Sequence, residues 1–402
     1  MELWKKKFII IWSGQIFSIL SSAIVGYSVM FWLSIETKSA EVLAYAVLAI
    51  LLPQALLGPF AGVYVDRWKR KLTMIAADSF VALCSLILGL LFYFNMAELW
   101  LIYLLMALRS VGNAFHSPAM QAAIPMLAPE SELMRIAGVN QAIQSVSNIA
   151  GPALGALMIT SLNMTAVMLV DVVGAIIACT ALLFVFIPDP KQDKKVEKRS
   201  ILGEMVQGWR EVEKHKGLPW LMTISVFVTF FLMPVAVLFP LMTVTHFGGG
   251  TFQMSLVEII WGSGMLIGGL IMGIWKLKVR KVLLINFSYL ALGVYILIAG
   301  LLPSDAFTVF VCLTIIGGIS TPFYSGPFTS LLQTYVEHAA LGRVFSLFGS
   351  LSILPSMIGI LATGYIADNI GVSNAFLIAG VVILALGIIS FFIPSVMKLE
   401  KR

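Results

Sequence analysis

Twelve long apolar segments, separated mostly by short polar loops, dominate the pattern of this 402-residue chain. A helix needs about 20 apolar residues to cross a bilayer, so each segment is predicted to be a transmembrane helix. The chain is therefore predicted to be an all-α membrane protein. The predicted helices cover about residues 8–34, 42–66, 72–95, 98–126, 133–160, 164–187, 218–245, 252–275, 282–302, 306–334, 342–367 and 372–395.

The one long connection follows the sixth helix, where Pro188-Asp189-Pro190 and a run of charged residues end the apolar pattern. Further on, apolar residues at helical spacing predict a helix from Ile201 to about Lys214 that lies along the membrane surface. The predicted domains are a six-helix bundle at 1–187, a cytoplasmic linker at 188–217 and a second six-helix bundle at 218–402.

The basic residues are unevenly distributed between the two sides of the membrane. With a cytoplasmic N-terminus and alternating helices, every Lys and Arg except Lys38 and Arg109 belongs to a cytoplasmic segment. This bias follows the positive-inside rule and predicts that both termini are cytoplasmic. Charged residues make up only 11% of the chain, against about 25% in soluble domains. The net charge of +6 therefore indicates membrane orientation rather than nucleic-acid binding.

Two stretches of the chain recur about 210 residues apart. The turn at Gly58–Lys71, GPFAGVYVDRWKRK, corresponds to Gly268–Lys281, GGLIMGIWKLKVRK. Phe115-His116-Ser117 corresponds in the same way to Phe323-Tyr324-Ser325. Two six-helix halves of the same topology are parallel repeats, and the substrate site is expected near mid-membrane where they meet.

These motifs resemble the major facilitator superfamily. The turn is similar to its signature between helices 2 and 3, although Lys69 replaces the usual inner glycine. In helix 5, SNIAGPALGA resembles the motif of drug:proton antiporters, and helix 4 has the expected Arg109, with Gly112 one position early. The matching positions are Gly62, Asp66, Arg67, Arg70 and Lys71 in the turn, and Gly151, Pro152 and Gly155 in helix 5.

Longer segments narrow the resemblance to the macrolide efflux (Mef) family. They are IWSGQIFSIL in helix 1, RSVGNAFHSPA in helix 4, MLIGGLIMG in helix 8, and PFYSGPFTSLLQ with LGRVFSL in the second half. The resemblance spans essentially the whole chain. It implies the major facilitator fold and proton-driven export of lipophilic antibiotics, above all macrolides.

Four ionisable groups lie inside predicted helices, where charge is costly and usually functional or paired. Glu258, in helix 8, is expected to take a proton or attract a cationic drug; the alternative is an acid that simply meets outside water. Arg109 is either a fixed countercharge or a structural clamp, and the resemblance favours a role in proton coupling. Asp78 is expected to pair with the basic turn and Asp171 to have a structural partner, although both remain candidates for coupling.

Other candidates follow from the resemblance. The turn is expected to act as a cytoplasmic gate through Asp66 and its cations, or else only to set topology. Gly151, Pro152 and Gly155 are expected to pack closely and limit leakage. His116 is expected to be a packed, neutral histidine, with a pH-sensing role as the alternative. The expected substrate-cavity residues, each with helix packing as the alternative, are Gln15, Tyr27, Asn113, Gln141, Gln144, Trp261, Phe323 and Tyr324.

The sequence thus predicts a proton-driven multidrug and macrolide exporter of the bacterial cytoplasmic membrane, working by alternating access. It is expected to be a monomer, not an enzyme, with no metal site and no cofactor besides the proton gradient, since no phosphate-cradling motif is present. Its expected partners are the bilayer and a small lipophilic, cationic drug, and no nucleic acid. The alternatives are export of a lipophilic native metabolite such as a siderophore, or a non-transporting receptor.

Overall fold

The structure is a computed structural model, and it describes residues 3–127, 129, 133–187, 201–274, 279–336 and 341–400. Throughout these ranges the regular secondary structure is helical. By length and composition, ten helices in the described part of the chain are apolar enough to cross a membrane. Helix is the form that satisfies every backbone hydrogen bond within a single segment, which lipid requires.

The first compact unit comprises Met1–Glu36 and Tyr45–Lys194. In it α3 packs along both α4 and α6, so that α3 is the central helix of this group of three. The helices of this part of the chain are α1 (Leu3–Thr37), α2 (Ala40–Arg67), α3 (Arg70–Tyr93), α4 (Leu99–Leu127), α5 (Leu133–Ser161) and α6 (Met164–Leu183).

The second unit comprises Thr37–Ala44 and Lys195–Arg402. A turn of π-helix, Met242–His246, continues α8. Within this unit α10 packs along α11 and α13, as α3 packs along α4 and α6, so the helix pairing of the first unit recurs. The helices are α7 (Ile201–Glu213), α8 (Leu218–Leu241), α9 (Thr251–Ile274), α10 (Lys281–Leu301), α11 (Phe307–Tyr335), α12 (Leu341–Ile370), α13 (Val372–Phe392) and α14 (Pro394–Met397).

The predicted spans and the observed helices agree closely, with differences at the ends. The first helix is predicted from about residue 8, whereas α1 begins at Leu3, because the lysine-rich start continues the same helix. The predicted linker lies outside the described residues over 188–200, and α7 occupies the position predicted for a surface helix. Predicted helices 7 to 12 correspond to α8 to α13, since α7 is the linker helix.

Two glycines let the helices of the first unit approach closely. A Cβ at Gly174 in α6 would lie 2.1 Å from the Ser21 hydroxyl oxygen of α1. A Cβ at Gly112 in α4 would lie 2.7 Å from a methyl group of Val81 in α3. Small residues allow such close contacts between membrane helices. The approach brings polar groups on α1, α3, α4 and α6 within hydrogen-bonding distance.

The N-terminus of α2, which belongs to the second unit, is capped by a carboxylate from α12. Asp368 accepts hydrogen bonds from the Ser39 hydroxyl at 2.7 Å, from the Ala40 N–H at 2.6 Å and from the Glu41 N–H at 3.0 Å. The first N–H groups of a helix lack partners within the helix. The Ser39 hydroxyl caps the Val42 N–H at 3.3 Å, and the side chain of Asp368 adds partners for the Ala40 and Glu41 N–H groups.

Candidate functional site

A buried ion pair between α4 and α6 is the most strongly connected polar group of the first unit. Nη1 of Arg109 lies 2.9 Å from Oδ2 of Asp171, and their side chains are only 7% and 2% exposed. Ser85 donates to the same oxygen at 2.7 Å and accepts a hydrogen bond from Arg109. Ser21 and Ser22 of α1 donate to Oδ1 at 3.1 and 2.8 Å.

Both oxygens of Asp171 are therefore occupied by donors, and its charge is balanced by a guanidinium that does not lose its proton in proteins. Breaking such a buried pair leaves an uncompensated charge. This geometry gives the Asp171 carboxylate a cationic partner and fixes α4 against α6 across α3. It fits the structural role that was expected for Asp171.

A second buried acid, Asp78, lies on the same face of α3 as Ser85, two helical turns earlier. It accepts hydrogen bonds from Gln15 at 3.3 Å and from Ser18 at 3.1 Å. Nε2 of His116 in α4 lies 3.4 Å from its Oδ1. The described partners of Asp78 come from α1 and α4. The side chain of Arg67 in the basic turn lies outside the described side chains, so the expected pairing with that turn stays a prediction.

A polar cavity of about 660 Å³ lies beside Asp78 in the first unit. His116 and Asn113 of α4 line it together with Ser18 and Ser22 of α1. Ser18 also binds Asp78, and Ser22 also binds Asp171, so the cavity adjoins both buried acids. Asn113 thus lies on a cavity wall, whereas Gln15 is fully buried behind it against Asp78.

A stripe of polar residues on α1 is the sequence signal of this network. Gln15, Ser18 and Ser22 recur at spacings of three and four residues, which places them on one face of a helix. A polar stripe on a membrane helix predicts that it faces polar or charged groups. The sequence predicts a packed His116 but not its contact with Asp78, because a single histidine near a helix end carries no signal of its partner.

In the second unit, Glu258 lies half-buried on α9. Its neighbourhood is aromatic: the ring centroids of Trp261 and Tyr295 are 6.2 Å apart, and that of Phe239 lies 5.6 Å from Trp261. The Tyr295 hydroxyl is 3.2 Å from the Thr314 hydroxyl and within electrostatic range of Glu258. Among the described residues, Glu258 has no cationic partner.

The other expected cavity residues occupy varied positions. Tyr27 of α1 packs against Gly151 of α5. Tyr324 of α11 is half-buried, with its ring 5.7 Å from that of Tyr289, and Phe323 beside it is also half-buried. Gln141 and Gln144 fall within α5, but their side chains lie outside the described part of the structure.

The helix 5 motif packs against α1. A Cβ at Gly151 would lie 3.1 Å from that of Ala23, and a Cβ at Gly155 would lie 3.1 Å from the Ser28 hydroxyl oxygen. Pro152 lies inside the helix between these contacts, where it removes one backbone hydrogen bond. The motif therefore forms a small-residue contact surface between two helices of the first unit.

The basic turn holds the end of the last long helix in its unit. Nζ of Lys71 donates to the carbonyl oxygens of Leu183 and Val185 at 3.1 and 2.9 Å, where α6 ends. In the second unit Arg280, one residue before the repeat of that lysine, donates to the carbonyl of Met397, beyond α13. A cation at a helix C-terminus is stabilised by the last carbonyl groups and by the negative end of the helix dipole.

Only part of the expected gate falls within the described side chains. Arg70 is the first residue of α3. The side chains of Gly62, Asp66 and Arg67 lie outside the part of the chain whose side chains the structure describes, so the expected role of Asp66 stays a prediction. The described residues contain no group of three or more His, Cys, Asp or Glu side chains able to hold a metal ion.

The comparisons with known proteins agree with this architecture. Residues 11–336 and 235–401 match the Major Facilitator Superfamily. The fold is also that of a bacterial homologue of the human lysosomal transporter Spinster, with a TM-score of 0.74 over 100% of this chain and 99% of that one at 14% identity. The chain belongs to the major facilitator superfamily; it is a multi-pass membrane transporter with two parallel six-helix repeats, and not an enzyme.

Within the superfamily, the chain is similar to macrolide efflux proteins. It is 38% identical to macrolide efflux protein A of Streptococcus pyogenes over 99% of this chain and 98% of that protein. It is also 38% identical to macrolide efflux protein A of Enterococcus faecalis, over 80% of this chain and 99% of that protein. The multidrug efflux pump Tap of Mycobacterium bovis is 24% identical over 92% of this chain and 89% of that protein. The resemblance inferred from sequence motifs is thereby confirmed.

Proposed function

We propose that this protein exports lipophilic, cationic drugs, macrolides first among them, from the bacterial cytoplasm in exchange for protons. The chain works as a monomer by alternating access, with both termini cytoplasmic, and the proton gradient is its only energy source. The proposal is supported by the similarity to macrolide efflux proteins over nearly the full length. It also agrees with the positive-inside bias of the loops.

The observation that carries the proposal is the environment of Glu258. A half-buried carboxylate without a cationic partner among the described residues attracts a positive ligand, and Trp261 on the same face of α9, three residues on, adds an aromatic surface for cation–π contact. A cationic macrolide amine satisfies both groups. An acidic siderophore would meet repulsion here, which is why the drug is preferred as substrate.

The remaining candidates are assigned roles in the same cycle. Asp78 takes part in proton coupling in the first half, and Arg109 and Asp171 support it as a fixed ion pair. Gly62, Asp66, Arg67, Arg70 and Lys71 form the cytoplasmic gate, and Gly151, Pro152 and Gly155 limit leakage. Gln15 supports the cavity wall through Asp78. Drug contact is assigned to Tyr27, Asn113, Gln141, Gln144, Trp261, Phe323 and Tyr324.

The test is a drug panel in a pump-deficient bacterium. Expression of the chain should raise tolerance to macrolides, and a protonophore should abolish the effect. Unchanged tolerance across the macrolides would refute the substrate assignment, and a gain for a metabolite alone would favour the alternative. Glu258→Gln should remove most of the tolerance at an unchanged membrane level, while Glu36→Gln, which alters an exposed acid at the end of α1, should not.

A further inference from the structure

Asp78 and His116 are a buried carboxylate and an imidazole in contact, and both side chains can gain and lose a proton. Nε2 of His116 lies 3.4 Å from Oδ1 of Asp78, and this nitrogen makes no hydrogen bond to the described residues. We infer that Asp78 and His116 together form the proton-binding site of this transporter, with the polar cavity beside them as its path to water. The inference rests on the proposed proton-driven function.

The two other buried acids suit this task less well. Asp171 already has a permanent cation, Arg109, at 2.9 Å, and its oxygens are occupied by serine donors. Glu258 has an aromatic neighbourhood in the second unit and lacks a proton-exchanging partner among the described residues. Histidine, by contrast, is the side chain whose ordinary change of charge falls between pH 5 and 8. A pair that contains a histidine can therefore respond to a physiological proton gradient.

The surroundings of the pair can accept a change of charge. Gln15 and Ser18 of α1 donate to the two oxygens of Asp78, and the second polar atom of Gln15, its amide oxygen, is buried without a partner. Among the described residues, the titratable groups that face Asp78 from the neighbouring helices are His116 of α4, in contact with it, and Cys179 of α6, within electrostatic range of it.

The cavity supplies the route for the proton. It is lined by His116 and Asp78 themselves, and a volume of about 660 Å³ has room for many water molecules, since one occupies about 30 Å³ in the liquid. A proton from outside water binds the pair, giving an imidazolium beside a carboxylate. It leaves the pair to cytoplasmic water later in the cycle, so one proton enters as one drug molecule is exported.

Linkage makes the inference testable by binding alone, because proton and drug must change each other's affinity equally. We would titrate the purified full-length chain with a radiolabelled macrolide at about pH 6 and about pH 8, on either side of the ordinary histidine range. The wild-type dissociation constant should differ roughly 5- to 150-fold between the two, the usual range of such coupling. His116→Gln cannot take the proton, so its dissociation constant should be the same at the two pH values.

His246→Gln is the matched control, because His246 lies in the second unit with its Nε2 2.8 Å from the Leu302 carbonyl oxygen; it should retain the wild-type pH dependence. A His116→Gln protein that keeps the pH dependence would overturn the inference. If His116→Gln does not fold, the Cε1–H resonance of His116 is measured in the wild-type protein instead. Its chemical shift should change when the macrolide is added, and an unchanged chemical shift overturns the inference. Gradient-driven uptake by wild-type proteoliposomes is measured in parallel, and its absence would refute the proposed function instead.

Discussion

The buried pair of Arg109 and Asp171 allows one stability prediction to be worked through. Asp171→Leu leaves the guanidinium of Arg109, 7% exposed, without a countercharge. Removing one partner of a buried ion pair costs about 3–5 kcal/mol, mostly because the other charge stays buried. We therefore expect the free energy of unfolding to fall by about that amount.

The double variant Arg109→Met with Asp171→Leu should recover most of this loss, because well-packed apolar residues often replace a buried pair at little cost. Ser21 and Ser85 can donate instead to carbonyls of their own helices, both at 3.0 Å. Ser22 loses its acceptor, which costs about 1 kcal/mol. The double variant is therefore expected within about 2 kcal/mol of the wild type.

The assay is equilibrium unfolding in mixed detergent micelles, followed by circular dichroism on the wild type, both single variants and the double variant. The four values give the interaction energy directly. A single Asp171→Leu variant that loses less than about 1 kcal/mol would refute the reasoning, and so would a double variant as unstable as the single one. Transport should be lost in the double variant if Arg109 serves coupling, and retained if the pair only holds helices together.

Two further variants test the contacts that position this network. Gly174→Ala should lower the melting temperature and the expression level, because its Cβ would meet the Ser21 hydroxyl oxygen at 2.1 Å. Gly26→Ala is the control and should be neutral or stabilising, because a Cβ there meets nothing within 4 Å. Equal effects of the two variants in thermal-shift measurements would contradict the packing argument. Lys71→Met should lower the free energy of unfolding by about 0.5–1 kcal/mol, because it removes the hydrogen bonds at the end of α6. Lys71→Arg should retain most of the wild-type stability in the same unfolding assay. An unchanged stability of Lys71→Met would show that these hydrogen bonds contribute nothing.

The sequence predicts the helices well, because apolar length decides them. Lipid allows few alternatives to helix, and the differences at α1 are limited to a few residues. The duplication is also visible in sequence, and the same pairing of α3 with α4 and α6, and of α10 with α11 and α13, agrees with it.

The partners of the buried charges could not be predicted in the same way. Several acids are candidate partners for Arg109 in the sequence. Which of them contacts it depends on the rotation of α4 and α6 about their axes. Asp78 was assigned to the nearby basic turn because that turn is close in sequence. The structure instead turns it toward α1 and His116, a choice made by long-range helix packing that the spacing along α3 alone does not contain.

The cap at the start of α2 has a consequence for how the protein is made. Ala40 and Asp368, whose side chain accepts its N–H, are 328 residues apart in the chain. At a synthesis rate of about 5–20 residues per second, the ribosome reaches Asp368 roughly 15 to 65 seconds after Ala40. During that time the Ser39 hydroxyl can accept from the Val42 N–H, but the Ala40 and Glu41 N–H groups must rely on water or lipid headgroups for their hydrogen bonds. The last long helices thus complete one of the first, and a nascent chain that stops before α12 leaves an early helix unfinished.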